Sequence, residues 1–374
     1  MSKVLKSPAK YVQGKGVMRE LDRYLDGVGK HLMILQTEGG ARRNMSTLNA
    51  CFGDTDFAVD YEVFSGEATR AKCEALAQTC REAGVTAIVG IGGGKVLDTA
   101  KAISHLAGIP DVIIPTVCST DAPCSSLSIM YDDDGVFDCY FFLHACPNIV
   151  LVDTEVISKA PARLLVAGMG DAMATYFEAR ACRRSGSDNQ IAAKPTRAAS
   201  ELAALCWKYL KEDGLKAKKA VEAGVVTEAL ENIIEVNTYL SSVGFESGGL
   251  AAAHGIQKGF TVIPELHGAY HGENVAFCTL VQLVMENAPT DEIREVADFC
   301  LSVGLPISFA DLGYEKADRE MIRKAALKAC IPNSTIHHLP FAVTPDMVED
   351  ALIAADHMGR QYKAGRLGPQ TERS

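Results

Sequence analysis

The feature that most constrains this chain is the alternation of short apolar runs with amphipathic segments over about its first 150 residues. Amphipathic stretches such as 68–83 and 95–107 predict helices, and the apolar runs between them predict buried strands. This alternation predicts a mostly parallel sheet with helices on both faces, and such sheets bind ligands at the carboxyl ends of their strands. The predicted strands are residues 31–36, 57–64, 86–94, 111–116 and 148–153.

From about Pro161 the pattern changes to long helical stretches without a convincing strand. A chain of 374 residues exceeds what one hydrophobic core usually serves. We therefore expect two domains, an α/β domain at residues 1–160 and an all-helical domain at residues 161–374, with chemistry in the cleft between them. The helices predicted for the second domain are residues 163–182, 196–210, 227–241, 250–260, 274–287, 291–303, 319–329 and 345–364.

Charge and composition exclude several classes of function. A formal net charge of -10 without a basic cluster argues against a nucleic-acid or anionic-membrane partner. The N-terminal segment lacks the apolar core of a signal peptide, and no apolar run approaches the roughly 18 residues that span a bilayer. We therefore expect a soluble, cytoplasmic protein. The 12 cysteines form no C-x-x-C pair and are predicted to be reduced thiols.

A glycine-rich turn in AIVGIGGGKVLDTAKA joins a predicted strand to a predicted helix. Glycines allow close approach of the backbone to a phosphate, and the amino end of a helix favours an anion. We predict that Gly92, Gly93, Gly94 and Lys95 bind a pyrophosphate. The alternative is a tight turn that merely needs positive φ angles. Asp98, one turn later, is expected either to accept a hydrogen bond from the ligand or to favour the first helical turn.

A polar cluster, PTVCSTDAPCSSLSIMY at residues 115–131, follows the next predicted strand. Serine, threonine and aspartate often bond only to their own backbone in turns, so an ordinary turn network is one interpretation. Because the carboxyl ends of parallel strands share one edge, the cluster is expected beside the glycine turn. Its hydroxyls and amides are then suited to line a ribose and a nicotinamide.

Three side chains from separate helical segments form a candidate metal site. Asp171 lies in a mostly apolar stretch, where a buried carboxylate needs a positive partner, and His254 and His271 lie at two other helices. Two imidazoles and one carboxylate suit zinc with an open position, or Fe(II) in a facial triad. Spacing alone leaves other histidines open, namely His267 in place of His271, and the pair 337–338.

Taken together, five blocks of sequence resemble the glycerol dehydrogenases, a branch of the iron-containing alcohol dehydrogenase superfamily. The resemblance runs in order from about residue 6 to residue 357. It implies a Rossmann-like nucleotide-binding domain followed by an all-helical domain, in a dehydroquinate synthase-like architecture. It also implies a homo-oligomer, commonly an octamer. The blocks are GIGGGKVLDTAKA, PTVCSTDAPCSSLSIMY, PARLLVAGMGDAMATYFEARAC, GFESGGLAAAHGI and YHGENVAF.

The resemblance further implies reversible oxidation of a small polyol, glycerol or a vicinal diol such as 1,2-propanediol, to the hydroxyketone, with hydride passing to NAD. It assigns Asp121 to the polyol, and Asp171, His254 and His271 to Zn²⁺. Dihydroxyacetone would be the product from glycerol. The nucleotide contacts that it implies are Gly94, Lys95, Thr116, Ser119, Ser125, Leu127 and Tyr131.

One departure from the family pattern concerns the cofactor. Members generally carry an aspartate at the end of the second strand, where it holds the adenine-ribose hydroxyls and repels a 2′-phosphate. Thr37 stands there in this chain, with Arg42 and Arg43 close behind and Glu38 as a substitute carboxylate. NAD remains the expected cofactor, and Thr37 leaves NADP as the alternative.

Three rival functions stay open from the sequence. An NADP-using or broad-specificity enzyme of the superfamily would reduce small aldehydes or ketones. A sugar cyclase of the dehydroquinate synthase type would retain its NAD through the reaction. A nucleotide-binding regulator without catalysis is the third, although it gives no reason to keep three metal ligands.

Overall fold

The computed structural model describes residues 2–365. Six of its strands form one parallel sheet in the order β1-β8-β5-β4-β2-β3, and β6 and β7 form a separate antiparallel pair. The fold prediction is confirmed, since a parallel sheet is followed by helices. The strands are β1 (Lys10–Gly14), β2 (His31–Thr37), β3 (Ala58–Phe64), β4 (Ala87–Gly92), β5 (Asp111–Pro115), β6 (Leu127–Tyr131), β7 (Phe137–Phe142) and β8 (Ile149–Asp153).

The register of the central strands brings their carboxyl ends to one edge. Gln36 of β2 pairs with Ile91 of β4, and Gly92 pairs with Pro115 of β5. Strands β4, β5 and β8 are buried along their whole length, which explains their continuous apolar sequence. The segments that follow β2, β4 and β5 therefore emerge side by side.

The five predicted strands are present, each within two residues of its predicted ends. The sequence pattern missed β1, β6 and β7. β1 is a five-residue edge strand that begins on an exposed lysine, and the exposed residues of β7 pair only with β6. β1 lacks the apolar run of a central strand, and in β6 and β7 the short apolar runs are interrupted by Ser128 and Asp138.

Most helices in the second half of the chain follow the predicted pattern, and the described residues there form no named strand. The helix predicted at residues 196–210 is longer than expected and spans Arg197–Glu222. Among the described residues, no helix has the length and apolar composition needed to cross a bilayer. The helices are α1 (Leu21–Tyr24), α2 (Glu38–Phe52), α3 (Arg70–Ala83), α4 (Gly94–Ala107), α5 (Thr154–Ser158), α6 (Ala162–Ser185), α7 (Arg197–Glu222), α8 (Glu228–Glu235), α9 (Ser241–Gly248), α10 (Ala252–Gly259), α11 (His271–Met285), α12 (Thr290–Val303), α13 (Arg319–Ala329) and α14 (Pro345–Lys363).

The chain divides into two compact units. The sheet unit comprises Lys6–Leu165 and Lys219–Val243, and the helical unit comprises the described parts of Met1–Leu5, Val166–Lys218 and Gly244–Ser374. This division differs from the expected boundary at residue 160, because α8 and a π-helical turn at Val236–Leu240 belong to the sheet unit.

Hydrogen bonds explain why that segment belongs to the sheet unit. The Gln13 amide of β1 donates to the backbone carbonyl of Glu231 at 2.9 Å, and the hydroxyls of Tyr11 and Thr238 lie 2.8 Å apart. An amphipathic pattern predicts that this segment is helical, but it does not specify the partner of its apolar face.

Each unit has its own core. Side chains such as Leu32, Val89 and Ile114 fill the core of the sheet unit, and Phe260 and Phe277 lie in that of the helical unit. All 12 cysteines lie in the described residues as free thiols, and most are buried.

Candidate metal centre and nucleotide site

The glycine-rich turn is built without left-handed backbone. β4 ends at Gly92 and α4 begins at Gly94, and none of residues 92–94 has a positive φ. The alternative of a turn that requires positive φ is therefore wrong. A Cβ on Gly92 would lie 2.9 Å from the Val96 side chain, whereas a Cβ on Gly94 would meet nothing within 4 Å. The fold itself needs the first glycine, but open space adjoins Gly94.

The amino end of α4 provides donors at this open space. Gly93 precedes the helix and offers no side-chain cap, so the first backbone N–H groups of α4 lack a capping acceptor from it. Lys95 is half exposed and pairs with Glu67. Backbone donors, a helix dipole and a lysine are the groups that bind a pyrophosphate.

A cavity of about 560 Å³ adjoins the turn in the sheet unit. Thr116 donates its backbone N–H to Gly92 at 3.0 Å, and Val117 lies 3.8 Å from the position of a Cβ on Gly93. Thr37 ends β2 and caps α2, where its hydroxyl accepts the N–H of Gly40 at 3.1 Å. The cavity is lined by Met18, Arg19, Arg43, Asn44, Thr47, Thr116, Val117, Asp153, Glu155, Val156, Lys159, Ala160 and Pro161.

Asp98 is turned into the protein. Its Oδ1 lies 3.0 Å from the ammonium of Lys101, whose side chain is 0% exposed, and its Oδ2 accepts the N–H of Ile129 at 3.2 Å. Burial raises the pKa of Asp98, although Lys101 opposes this shift. Lys101 also donates to the carbonyls of Ala122 and Leu127. This buried ion pair therefore fastens the segment 122–129 to α4.

The remaining predicted nucleotide residues lie on or near that fastened segment. The Ser125 hydroxyl donates to Ala122 at 3.0 Å, and Leu127 begins β6. Tyr131 ends β6 and donates its N–H to Ala68 at 3.0 Å. Ser119 lies partly buried in the loop after β5.

Asp121 is held by serines that follow the π-helical turn. Its Oδ2 accepts the Ser241 hydroxyl at 2.9 Å, and its backbone carbonyl accepts the Ser242 hydroxyl. Asn237, within the turn, donates to the carbonyl of Cys118 at 3.1 Å. Asp121 is 8% exposed, so the carboxylate is buried and held in a fixed orientation. π-Helical turns frequently occur at functional sites.

The candidate metal centre brings together three side chains of the helical unit. One donor atom from each of Asp171, His254 and His271 lies within 4.8 Å of the others. Asp171 Oδ1 lies 3.3 Å from His254 Nε2 and 3.4 Å from His271 Nε2. Burial would raise the pKa of Asp171, but the two imidazoles outweigh it and hold that pKa below its usual range. An anionic carboxylate and two ring nitrogens thus converge in a buried place.

Two glycines allow this convergence. Gly170 precedes Asp171 on α6, and Gly272 follows His271 on α11. A Cβ on Gly272 would lie 1.8 Å from the carbonyl oxygen of Ala167, and one on Gly170 would lie 2.3 Å from that of Gly272. The two helices therefore meet backbone to backbone, and this contact brings Asp171 close to His271.

The competing histidines make other contacts. His267 Nε2 lies 3.1 Å from the carbonyl oxygen of Thr261, and His337 Nε2 lies 3.2 Å from that of Ile331. His338 Nδ1 lies 2.7 Å from the carbonyl oxygen of Leu250. None of the three belongs to the ligand cluster found among residues 2–365.

Sequence reasoning missed several residues that support these sites. Lys101 follows Asp98 by one helical turn, and Glu178 follows Asp171 by two, so both spacings were visible signals. Ser241 and Ser242 carried no such signal, because their partner Asp121 is distant in sequence. The sequence indicates Arg43, which lines the cavity, only through its charge near Thr37.

Comparisons with known proteins agree with this architecture. The model of the iron-containing alcohol dehydrogenase family matches residues 8–154. The chain is 48% identical over 362 residues to glycerol dehydrogenase from Escherichia coli O6:H1, which covers 97% of this chain and 99% of that protein. It is 41% identical over 363 residues to glycolaldehyde reductase from Halobacterium salinarum, covering 97% and 100%. The crystal structure of glycerol dehydrogenase from Schizosaccharomyces pombe matches with a TM-score of 0.93 and 34% identity, covering 97% of this chain and 93% of that one.

Proposed function

The chain belongs to the iron-containing alcohol dehydrogenase family, within its glycerol dehydrogenase branch, and from this premise we propose that it oxidises glycerol or a similar vicinal diol with NAD. The reaction takes the secondary alcohol reversibly to the hydroxyketone. The observation that carries the proposal is the convergence of Asp171, His254 and His271, whose donor atoms lie within 4.8 Å of one another.

The sheet unit supports the cofactor part of the proposal. Gly94 and Lys95 would bind the pyrophosphate at the amino end of α4, because open space adjoins Gly94 and the helix start has no side-chain cap. The cavity of about 560 Å³ beside Thr116 has room for the adenosine half of the cofactor. This arrangement supports a dinucleotide at the strand ends.

The helical unit supports the metal part of the proposal. Two imidazoles and one carboxylate fit a divalent cation that keeps an open position, and we propose Zn²⁺ from the glycerol dehydrogenase relationship. Bound there, the metal would supply Lewis-acid chemistry that lowers the pKa of an alcohol.

Asp121 would orient the polyol. A buried carboxylate accepts hydrogen bonds from hydroxyl groups, and Ser241 and Ser242 fix this one in place. A fixed acceptor lowers the entropy cost of positioning one hydroxyl while its neighbour reacts. This role favours vicinal diols over simple alcohols as substrates.

A variant of one ligand tests the proposal. His254→Ala is expected to bind NADH normally, to lose its stoichiometric metal, and to lose glycerol oxidation, as measured by NADH titration, metal analysis and initial rates. His267→Ala is the matched control and is expected to keep all three, because its ring contacts a backbone carbonyl. Undiminished glycerol oxidation by His254→Ala would refute the metal role.

Reduction of small aldehydes with NADPH is the second candidate function. Thr37 removes the carboxylate that would repel a 2′-phosphate, and a relative with 41% identity is a glycolaldehyde reductase. Initial rates with NAD and NADP against glycerol, 1,2-propanediol and dihydroxyacetone, and with NADH and NADPH against glycolaldehyde, separate the two functions. Dominant reduction with NADPH would favour the second.

A further inference from the structure

Glu178 stands on the same face of α6 as Asp171, two helical turns further along. Its side chain is 0% exposed. A carboxylate so deeply buried is costly unless donors surround it, so its partners indicate its role.

Glu178 holds both the ring and the backbone of one candidate ligand. Its Oε2 lies 2.5 Å from Nδ1 of His254, and its Oε1 accepts the backbone N–H groups of His254 at 3.0 Å and Ala251 at 2.7 Å. On the other side of the same ring, Nε2 faces Asp171 Oδ1 at 3.3 Å. An imidazole that donates its Nδ1 proton to a carboxylate presents its lone pair at Nε2.

We infer that Glu178 is the positioning residue of the metal centre, since it fixes the ring of His254 with Nε2 directed at a divalent cation shared with Asp171 and His271. The inference rests on the proposed metal site and extends it by one residue. Carboxylates that accept the second N–H of a ligating imidazole commonly orient the ring and strengthen metal binding.

Charge balance supports the same role. A divalent cation beside the single carboxylate of Asp171 would leave one uncompensated positive charge in a buried place, and the carboxylate of Glu178 cancels it. Lys258 is partly buried and interacts electrostatically with Glu178, and burial lowers the pKa of this lysine. Glu178 therefore serves as more than a cap for a helix.

The capping function is shared, which allows the two roles to be separated. The N-terminal N–H groups of α10 need acceptors, and Ala251 at its cap has no suitable side chain. Gln282 of α11 accepts the N–H groups of Ala252 at 3.0 Å and Ala253 at 2.9 Å, without a contact to the His254 ring. Of these two acceptors, only Glu178 also contacts the ring of the candidate ligand.

The test is metal binding by metal-depleted full-length protein carrying Glu178→Gln. The amide oxygen of glutamine can still accept from the α10 backbone, but the ring loses its anionic acceptor. We expect Zn²⁺ affinity, measured by competition with a chromophoric chelator, to fall about 10- to 100-fold. We also expect a changed visible spectrum of the Co²⁺-loaded protein, which reports the geometry of the ligands.

Glu349→Gln is the matched control. Glu349 is also a buried carboxylate of the helical unit, but it pairs with Arg319 and Arg323. The Glu349→Gln variant should lower the thermal midpoint of the metal-free protein while leaving Zn²⁺ affinity and the Co²⁺ spectrum unchanged. A Glu178→Gln protein with wild-type affinity and spectrum overturns the inference.

Two further outcomes are informative. If Glu178→Gln does not fold, Glu178→Asp replaces it, and an affinity unchanged by the shorter carboxylate arm overturns the inference while a loss of at least about threefold supports it. If the wild-type protein binds no stoichiometric Zn²⁺ or Co²⁺, the proposed metal site fails and takes this inference with it. If the wild-type protein binds the metal and the Glu178 variants bind it equally well, only the inference about Glu178 is overturned, and the proposed metal site is not contradicted.

Discussion

Gly94 lies at the candidate pyrophosphate site and Gly272 lies at the candidate metal centre, but the absence of a side chain has opposite effects at the two positions. A Cβ on Gly94 would enter open space, and a Cβ on Gly272 would lie 1.8 Å from a backbone carbonyl oxygen. The first glycine leaves room for a molecule that comes from outside, and the second lets two helices touch. The sheet unit thus builds its site around a space, whereas the helical unit builds its site by close packing.

This difference follows from the elements that each unit uses. Loops after parallel strands present backbone groups at a sheet edge, and their side chains are free to vary. Side chains from separate helices converge only when the helices pack at a suitable distance and angle. We therefore expect substitutions in the sheet unit's site to alter ligand binding more than folding, and those in the helical unit's site to alter both.

The largest expected effect tests whether the sheet unit also contains a rigidly packed part, comparable to the helix contact of the helical unit. Lys101→Met leaves the buried carboxylate of Asp98 without its cation and should lower the free energy of unfolding by about 3–5 kcal/mol, as measured by urea denaturation. The double variant Lys101→Met/Asp98→Asn should recover part of this loss. A near-neutral single variant would contradict the role given to the ion pair.

Gly272→Ala should break the close packing of the helical unit. The added methyl group collides with the Ala167 carbonyl, so α6 and α11 must separate, at a cost of about 1–3 kcal/mol of stability and with loss of stoichiometric Zn²⁺. Thermal unfolding and metal analysis measure the two effects. Gly268→Ala is the control, because nothing lies within 4 Å of its Cβ position. Equal behaviour of the two variants would remove the distinction.

Gly94→Ala tests the same contrast between the two units at the glycine turn of the sheet unit. Its backbone is not in the left-handed region, so alanine should leave stability unchanged or raise it by about 0.4–1 kcal/mol. The methyl group would take the space that we propose for the pyrophosphate, and we expect NADH to bind at least about tenfold more weakly, or 1.4 kcal/mol. Fluorescence titration measures this, and unweakened binding speaks against a pyrophosphate at this turn.

The smallest effect concerns cofactor choice. Thr37→Asp keeps a helix cap at α2 and adds a carboxylate that hydrogen-bonds the ribose hydroxyls and repels a 2′-phosphate. The ratio of kcat/KM for NAD to that for NADP should rise about tenfold with no loss of stability. Thr37→Ser keeps the cap without the charge and should leave the ratio unchanged. A strict NAD preference in the wild-type protein would contradict the importance given to Thr37.

The sequence predicted most of this fold because its strands and helices carry strong periodic signals. It missed β1 and the β6–β7 pair, whose short or exposed strands lack them. It also could not assign Lys219–Val243 to the sheet unit, since an apolar helix face does not name its partner.

The candidate sites were predictable to different degrees for the same physical reason. The glycine turn is one continuous segment, so its chemistry could be inferred locally. Asp171, His254 and His271 are far apart in sequence, and only the resemblance selected the two histidines from the nine in the chain. Contacts such as that between Asp121 and Ser241 depend on tertiary structure and left no local pattern.

The π-helical turn at Val236–Leu240 has an evolutionary consequence. Such a turn contains one residue more than regular helix, and each residue rotates the following side chains by about 100°. Deleting one residue there would swing Ser241 and Ser242 away from Asp121. A one-residue gap at this place in a homologous chain is therefore expected to mark a lineage in which these contacts to Asp121 have changed.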